Sequence, residues 1–413
     1  MIRFADQTHP MINLIRSFLL ISASFFFQET ALCQPDNYYN YLNLGDYSIG
    51  YQDTLLFDDS LTYSNYGYSG KAPLFVRIWH PLKKSSSDFM SVEDFYKTEV
   101  PKELNKVYEV LYKHIDSAIV EYNISEHIKT WKPLTYKNHT HFTILDTLKN
   151  TSTKAVKSKL NLDGDFPVVL YHHGNQGSPF ENYFMAEYFA SQGYIFVAAN
   201  FEIPYENQFF GYRPGNLAKP NTSFPKRVIQ FCNEISTTNE VYYIGHSYGA
   251  QVGFSFLYEE PRWADAFVSM ETTMEFQWPF KSVEYLKERW PVVYQRIYNH
   301  QKEYSIPTLM MANTKADPPM TFVNKVFPDL SANPLIQASA KKEFSHEGYT
   351  SIHFLRMFYK KRFRIPDYGP LSKQFKMYLQ HLNLIFDFID GIHQKKELNL
   401  TQYEKHFYLD KRR

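Results

Sequence analysis

Cysteine is almost missing from this chain: 413 residues carry two, Cys33 and Cys232. Two thiols, one of them near the N-terminus, cannot build a disulfide framework. A chain of this length buries enough apolar surface to do without one. No Cys/His spacing of the zinc-site kind occurs, and His139 and His141 in NHTH read as a polar surface turn rather than as ligands. Charge of either sign is not in excess, with 44 basic and 43 acidic residues and a net charge of +1. Nucleic-acid binding, which needs a basic surface to meet phosphates, has no support in such a balance. Internal repeats and low-complexity linkers are missing too, which argues against solenoids and flexible arrays.

Long hydrophobic runs are also lacking. The apolar stretch Ser17–Phe27 (SFLLISASFFF) is too short to cross a bilayer and has the size of a signal-peptide core. Arg16 precedes it, and Ala31-Leu32-Cys33 offers small residues before a cut, so residues 1–33 are expected to be a signal peptide with a mature start near Gln34. Met11 is an alternative start. A lipid anchor on Cys33 is the competing reading, but Leu32 fits it poorly. An exported protein, periplasmic or extracellular, is the expectation, with no stable membrane insertion after the signal is removed. Aromatic residues are plentiful, 33 Tyr and 35 Phe. They read as core and surface composition rather than as a binding device.

From residue 165 on, short apolar runs alternate with helical patterns. The runs are Phe166–Tyr171, Tyr194–Ala199, Val241–Ile244, Ala266–Met270 and Thr308–Ala312, with Leu335–Phe344 as the last candidate. Helix candidates occupy roughly 180–192, 223–235, 248–260, 280–303 and 371–392. Tyr47–Phe57 and Leu74–His80 alternate in polarity and read as two leading antiparallel strands. The pattern predicts an α/β domain over residues 34–413: a mostly parallel, eight-stranded sheet with helices on both faces. Residues 83–160 break the alternation. They are polar, and Val92–Val120 is helical in pattern with a division at Pro101. They are expected to form a helical insertion between the second and third strands, either shaping the substrate entrance or making a plain surface excursion.

The chemistry is concentrated in VYYIGHSYGAQVGF, Val241 to Phe254. A buried strand runs into Gly245-His246-Ser247-Tyr248-Gly249, and a helix follows. G-x-S-x-G at a strand-to-helix junction forces a tight turn that lifts the serine hydroxyl to the sheet edge, and glycines at both ends leave room for it. Ser247 is therefore the candidate nucleophile. Such a serine needs oxyanion donors, a base and an acid, in chain order Ser, acid, His. The N–H of Tyr248 is one expected donor. The other is the N–H of Asn175, in Tyr171-His172-His173-Gly174-Asn175-Gln176-Gly177, a strand running straight into an H-G-x-x-G turn.

Histidines after Ser247 are His300, His346, His353, His381, His393 and His406. His346 follows the last strand candidate directly, in Phe344-Ser345-His346-Glu347-Gly348-Tyr349, and is the expected base. His353 reads as structural or supporting. Two acids compete. Glu271 follows the strand Ala266–Met270, and Asp317 follows the strand Thr308–Ala312; both fall at the carboxyl edge of the sheet.

These residues resemble the α/β-hydrolase superfamily, and more narrowly the esterases like platelet-activating-factor acetylhydrolase and dienelactone hydrolase. The resemblance is carried by VRIWHP (76–81), FPVVLYHHGNQGS (166–178) with SQGYIFVAANF (191–201), IGHSYGA (244–250) with EEPRWADAFVSMETTMEF (259–276), and FSHEGYTSIHF (344–354). It covers roughly residues 45–390. It implies a short-acyl or lipid-like ester as substrate. It also implies that the acid follows the strand after the nucleophile helix, which favours Glu271, although that family usually has Asp there. Ala250 stands where a glycine is common. The expected function is a serine hydrolase of carboxylic esters needing no metal or organic cofactor. The competing readings are a peptidase or amidase of the same fold and a non-catalytic binding protein on a hydrolase scaffold.

Overall fold

The apolar runs marked in the sequence become strands because their β-branched and aromatic side chains fill both faces of a buried sheet. The computed structural model describes residues 39–83, 88–124, 145, 146, 148–160, 163–206, 222–259, 263–270, 291–312, 329–342, 344–359 and 371–412. Two long leading strands, β1 (Ser48–Asn65) and β2 (Tyr68–Leu82), pair antiparallel over a hairpin. The sheet body follows as β4 (Val168–His172), β5 (Ile195–Ala199), β6 (Val241–His246), β7 (Ala266–Met270), β8 (Thr308–Ala312) and β9 (Leu335–Ala340), all parallel to their neighbours within this set.

Two short strands that the sequence pattern does not mark extend the edges. β3 (Ala155–Lys157) runs parallel to β1, and β10 (Phe407–Arg412) runs antiparallel to β9. The sheet order is β10-β9-β8-β7-β6-β4-β5-β2-β1-β3. The eight expected strands stand in the order of an α/β-hydrolase fold, and the chain has that fold. β5 lies on one side of β4 and β6 on the other. The strand order therefore reverses beside β4, and the loops leaving β4 and β6 emerge next to each other at the carboxyl edge, the place where α/β sheets bind ligands.

Alternation along the strands divides the core in two. Val169 and Tyr171 of β4 face one hydrophobic cluster with α2 (Tyr183–Ser191) and α6 (Leu371–His393). Val168 and Leu170 face the other, with α3 (Ser223–Ile235) and α4 (Tyr248–Glu259). Helix α5 (Pro291–His300) packs against α4. Cys232 is a free, buried thiol. Among the described residues, no helix is long and apolar enough to cross a membrane. The expected signal, residues 1–33, lies outside the described residues.

The described parts of the insertion are tied to the domain by buried polar groups. Pro101 separates a short turn, Val92–Tyr96, from the segment that leads into α1 (Asn105–Ile119). Arg77 of β2, fully buried, donates from Nε to the carbonyl of Phe95 at 3.1 Å, from Nη2 to the Tyr108 hydroxyl at 3.2 Å, and to the Tyr112 hydroxyl. Glu187 of α2 accepts from the amides of Lys154 and Ala155 at 2.8 and 2.9 Å and from the Tyr39 hydroxyl at 2.6 Å. That one carboxyl fastens β3 and the N-terminal approach to the sheet.

Candidate active site

The register of β4 and β6 brings the two motif turns together. His172 stands opposite Gly245, so the H-G turn and the G-H-S turn leave the sheet side by side. At the second turn Ser247 takes φ +51°, a left-handed conformation that a serine rarely adopts. A Cβ on Gly245 would stand 2.5 Å from the Ala250 Cα, and one on Gly249 would stand 2.2 Å from the His172 carbonyl oxygen. Both glycines are required by backbone that cannot move aside. The Ser247 carbonyl accepts from the amides of Ala250 and Gln251 at 3.0 and 3.2 Å, which starts α4. Ser247 and Tyr248 are both half-buried, against a fully enclosed strand.

The H-G turn presses against this elbow. A Cβ on Gly174 would stand 3.2 Å from the Cβ of Ser247. Asn175 is the next residue, and the Gly177 amide donates to the Gly174 carbonyl at 2.9 Å to close the turn. Gln176 has φ +61°, and its amide donates to Glu202 Oε2 at 2.8 Å. His173 supports the same turn: its Nδ1 donates to the Gly174 carbonyl at 2.7 Å and its Nε2 accepts from the Phe201 amide at 3.0 Å. Burial lowers the pKa of His173 and pushes that of His172 well below the usual imidazole value. Both rings are therefore neutral supports.

His346 opens a short 3-10 turn, His346–Tyr349, after β9. Its ring lies beside that of His246, with centroids 4.8 Å apart, and His246 is the residue before Ser247. The turn is held by the Ser345 hydroxyl, which accepts from the Gly348 amide at 3.0 Å, and by Gln374, whose Oε1 accepts from the Ser345 amide at 2.9 Å. Thus Ser247, Tyr248, Asn175 and His346 all belong to turns that meet at the carboxyl ends of β4 and β6. Glu271 and Asp317 lie outside the described residues.

Four of the other histidines after Ser247 are committed elsewhere. His353 is buried and meets the Ser345 hydroxyl at 3.4 Å, a supporting place. His381 stacks on Phe344 at 4.5 Å, and burial lowers its pKa to about 4. His300 pairs with Glu303 at 3.0 Å and His393 with Glu240 at 2.7 Å.

Several residues of the site escape the motif reading. Glu181, Glu202, Gln176 and His246 all have structural parts in it. His246 sits inside G-H-S-x-G as a variable position, and Glu181 is an acid two residues before the mostly apolar α2. That burial of a carboxylate is the one signal that could have marked it. The insertion also reaches the site. Its turn at Val120–Ile124 packs against Ser351–Tyr359. Burial, then the charges of Glu121, Glu347 and Glu202, raise the pKa of the Tyr122 phenol.

No protein-family model and no curated protein matches the chain. Among solved structures it is similar to a ferulic acid esterase from Streptomyces cinnamoneus, at 13% identity and TM-score 0.49, covering 83% of this chain and 89% of that one. It is similar to a puromycin hydrolase at 10% identity and TM-score 0.43, covering 84% of this chain and 40% of that one. It is also similar to the acylaminoacyl peptidase of Pyrococcus horikoshii, at 15% identity and TM-score 0.41, with 58% and 39% covered.

Proposed function

We propose that the protein is an exported serine hydrolase that cleaves carboxylic esters, with Ser247 as nucleophile and His346 as base. The observation that carries this reading is the left-handed Ser247 at the β6–α4 junction, with the Gly174 turn against its Cβ and the His346 loop against its neighbour His246. Strain of this kind concentrates at functional sites, and at Ser247 it coincides with the close approach of both neighbouring turns.

The sequence of steps follows from these groups. His346 takes the proton of Ser247 as its Oγ attacks the ester carbonyl. The N–H groups of Tyr248 and Asn175 hold the oxyanion, a contribution of about 100- to 1,000-fold per donor in comparable sites. The alcohol leaves with the proton from His346. Water, activated by His346, then frees the acyl group from Ser247. An acid holds the imidazole proton on the far nitrogen, and Glu271 is proposed for this, with Asp317 as the alternative. Glu271 is supported by its neighbour Met270, whose carbonyl accepts from the Ser247 amide.

A short-acyl or lipid-like ester, of the kind the platelet-activating-factor acetylhydrolase resemblance implies, is the proposed substrate class. The insertion, residues 83–160, is proposed to shape its entrance, supported by the packing of Val120–Ile124 against Ser351–Tyr359, just after the His346 turn. Residues 1–33 are proposed as the signal and 34–413 as the hydrolase domain. A chain-length series of p-nitrophenyl esters, run beside a peptide anilide, tests the reading. Turnover of esters with little on the anilide supports it; turnover of the anilide alone contradicts it and favours a peptidase.

A further inference from the structure

Acyl transfer makes no demand on His246, yet this ring is only 5% exposed and both of its nitrogens face oxygen. Nδ1 lies 3.5 Å from Glu181 Oε1, an ion-pair contact rather than a well-aligned hydrogen bond. Nε2 lies 3.2 Å from the carbonyl oxygen of His346. A carbonyl oxygen only accepts, so the ring holds the His346 carbonyl by donating from Nε2, while Nδ1 faces the carboxylate. Its plane is tilted 32° from that of His346.

Glu181 is buried as deeply and is itself well held. It accepts from the Tyr171 hydroxyl at 2.7 Å and the Ser178 amide at 3.1 Å, with the Gly174 amide at 3.4 Å. Burial raises its pKa, but the polar contact and charge of His246, with His173 and Tyr171, bring it below the ordinary carboxyl value. Its backbone carbonyl accepts from the Ile352 amide at 2.9 Å and the Ser351 hydroxyl at 3.1 Å. The next residue, Asn182, donates from Nδ2 to the Tyr349 carbonyl at 3.0 Å. One buried segment thus touches the oxyanion turn, the residue before Ser247 and the loop that carries His346.

We infer that Glu181 and His246 are positioning residues. Glu181 aims the His246 ring, and His246 holds the His346 carbonyl and thereby the imidazole that serves Ser247. The effect on rate rests on the ester-hydrolase reading; the mechanical link to the loop does not. A general base misplaced by about 1 Å can cost about 100-fold in rate, so a carbonyl anchored beside the base matters. The bland alternative is that His246 only fills space between His346 and Tyr349.

Three variants decide between these, Glu181→Gln, His246→Phe and His246→Gln. On a p-nitrophenyl ester, Glu181→Gln and His246→Phe are expected to lower kcat about 10- to 100-fold with KM nearly unchanged, the signature of a displaced base. His246→Gln keeps a donor for the carbonyl and is expected to retain most of the rate. A space-filling role predicts the reverse order, with Phe tolerated and Gln not, and that order would overturn the inference. Hydrogen exchange of the 344–352 segment supplies a readout without catalysis: faster exchange in Glu181→Gln and His246→Phe is expected, and unchanged exchange overturns the link. If wild type and Ser247→Ala hydrolyse esters equally, the hydrolase reading has failed and the exchange result alone decides. Should Glu181→Gln fail to fold, the two His246 variants still decide.

Discussion

The amide of Ser247 donates to the carbonyl of Met270 at 2.9 Å, so the turn that carries the proposed nucleophile is anchored on the last residue of β7. The chain leaves β7 at that point, and Glu271 is the next residue. This bond joins the elbow to the strand that one of the two acid candidates follows in the sequence. Glu271→Gln is expected to lower kcat on a p-nitrophenyl ester by about 1,000- to 10,000-fold, the range seen when the orienting acid of a triad is neutralised. Asp317→Asn is expected to stay within a few-fold of wild type. The opposite ranking reassigns the acid to Asp317.

Crowding at the elbow makes a second prediction. A methyl group on Gly249 meets carbonyl oxygens of His172 and His173 at 2.2 and 2.6 Å. Neither is a flexible side chain, so Gly249→Ala must move the H-G turn or the elbow. Ester turnover is expected to fall at least about 100-fold, because the proposed oxyanion donors shift with the turn. Gly67→Ala is the control: φ there is +79°, and nothing lies within 4 Å of the added carbon. That change should cost about 1 kcal/mol of stability and leave the rate alone. Steady-state kinetics with thermal unfolding of both variants checks this.

Glu187 predicts a pH dependence of stability. Burial raises its pKa from 4.5 to about 7, against the hydrogen bonds from Tyr39, Lys154 and Ala155 that favour the charged form. The native state holds the proton more tightly than the unfolded chain, so this group's contribution is intact below pH 4.5 and is lost as pH rises to about 7. The full loss is about 3 kcal/mol, from roughly 1.4 kcal/mol per pKa unit. In Glu187→Gln the amide oxygen can accept from both backbone amides while the amide nitrogen meets Tyr39. Denaturant unfolding should show the two proteins alike at pH 4.5 and the variant more stable at pH 8. Equal differences at both pH values contradict the assignment.

Much of the sheet is legible in the sequence because buried parallel strands are short runs apolar on both faces, and Val241–His246 or Thr308–Ala312 can hardly be read otherwise. The edge strands Ala155–Lys157 and Phe407–Arg412 are not legible. Each pairs on one side only, through backbone atoms that carry no sequence signal, and β3 is placed by Glu187, 32 residues from Ala155. The turn at Ser247 is legible because two glycines are sterically required within five residues. The Glu181–His246 contact joins residues 65 positions apart, and no spacing rule connects them. His346 stands out among six histidines only through its place after the last parallel strand.

Reaction with a fluorophosphonate, followed by peptide mass mapping of wild type and Ser247→Ala, tests the central claim most directly. A single phosphonyl adduct on the peptide containing Ser247, with labelling and ester turnover both lost in the variant, is the predicted result. An unlabelled wild type, or ester turnover that survives Ser247→Ala, would contradict it.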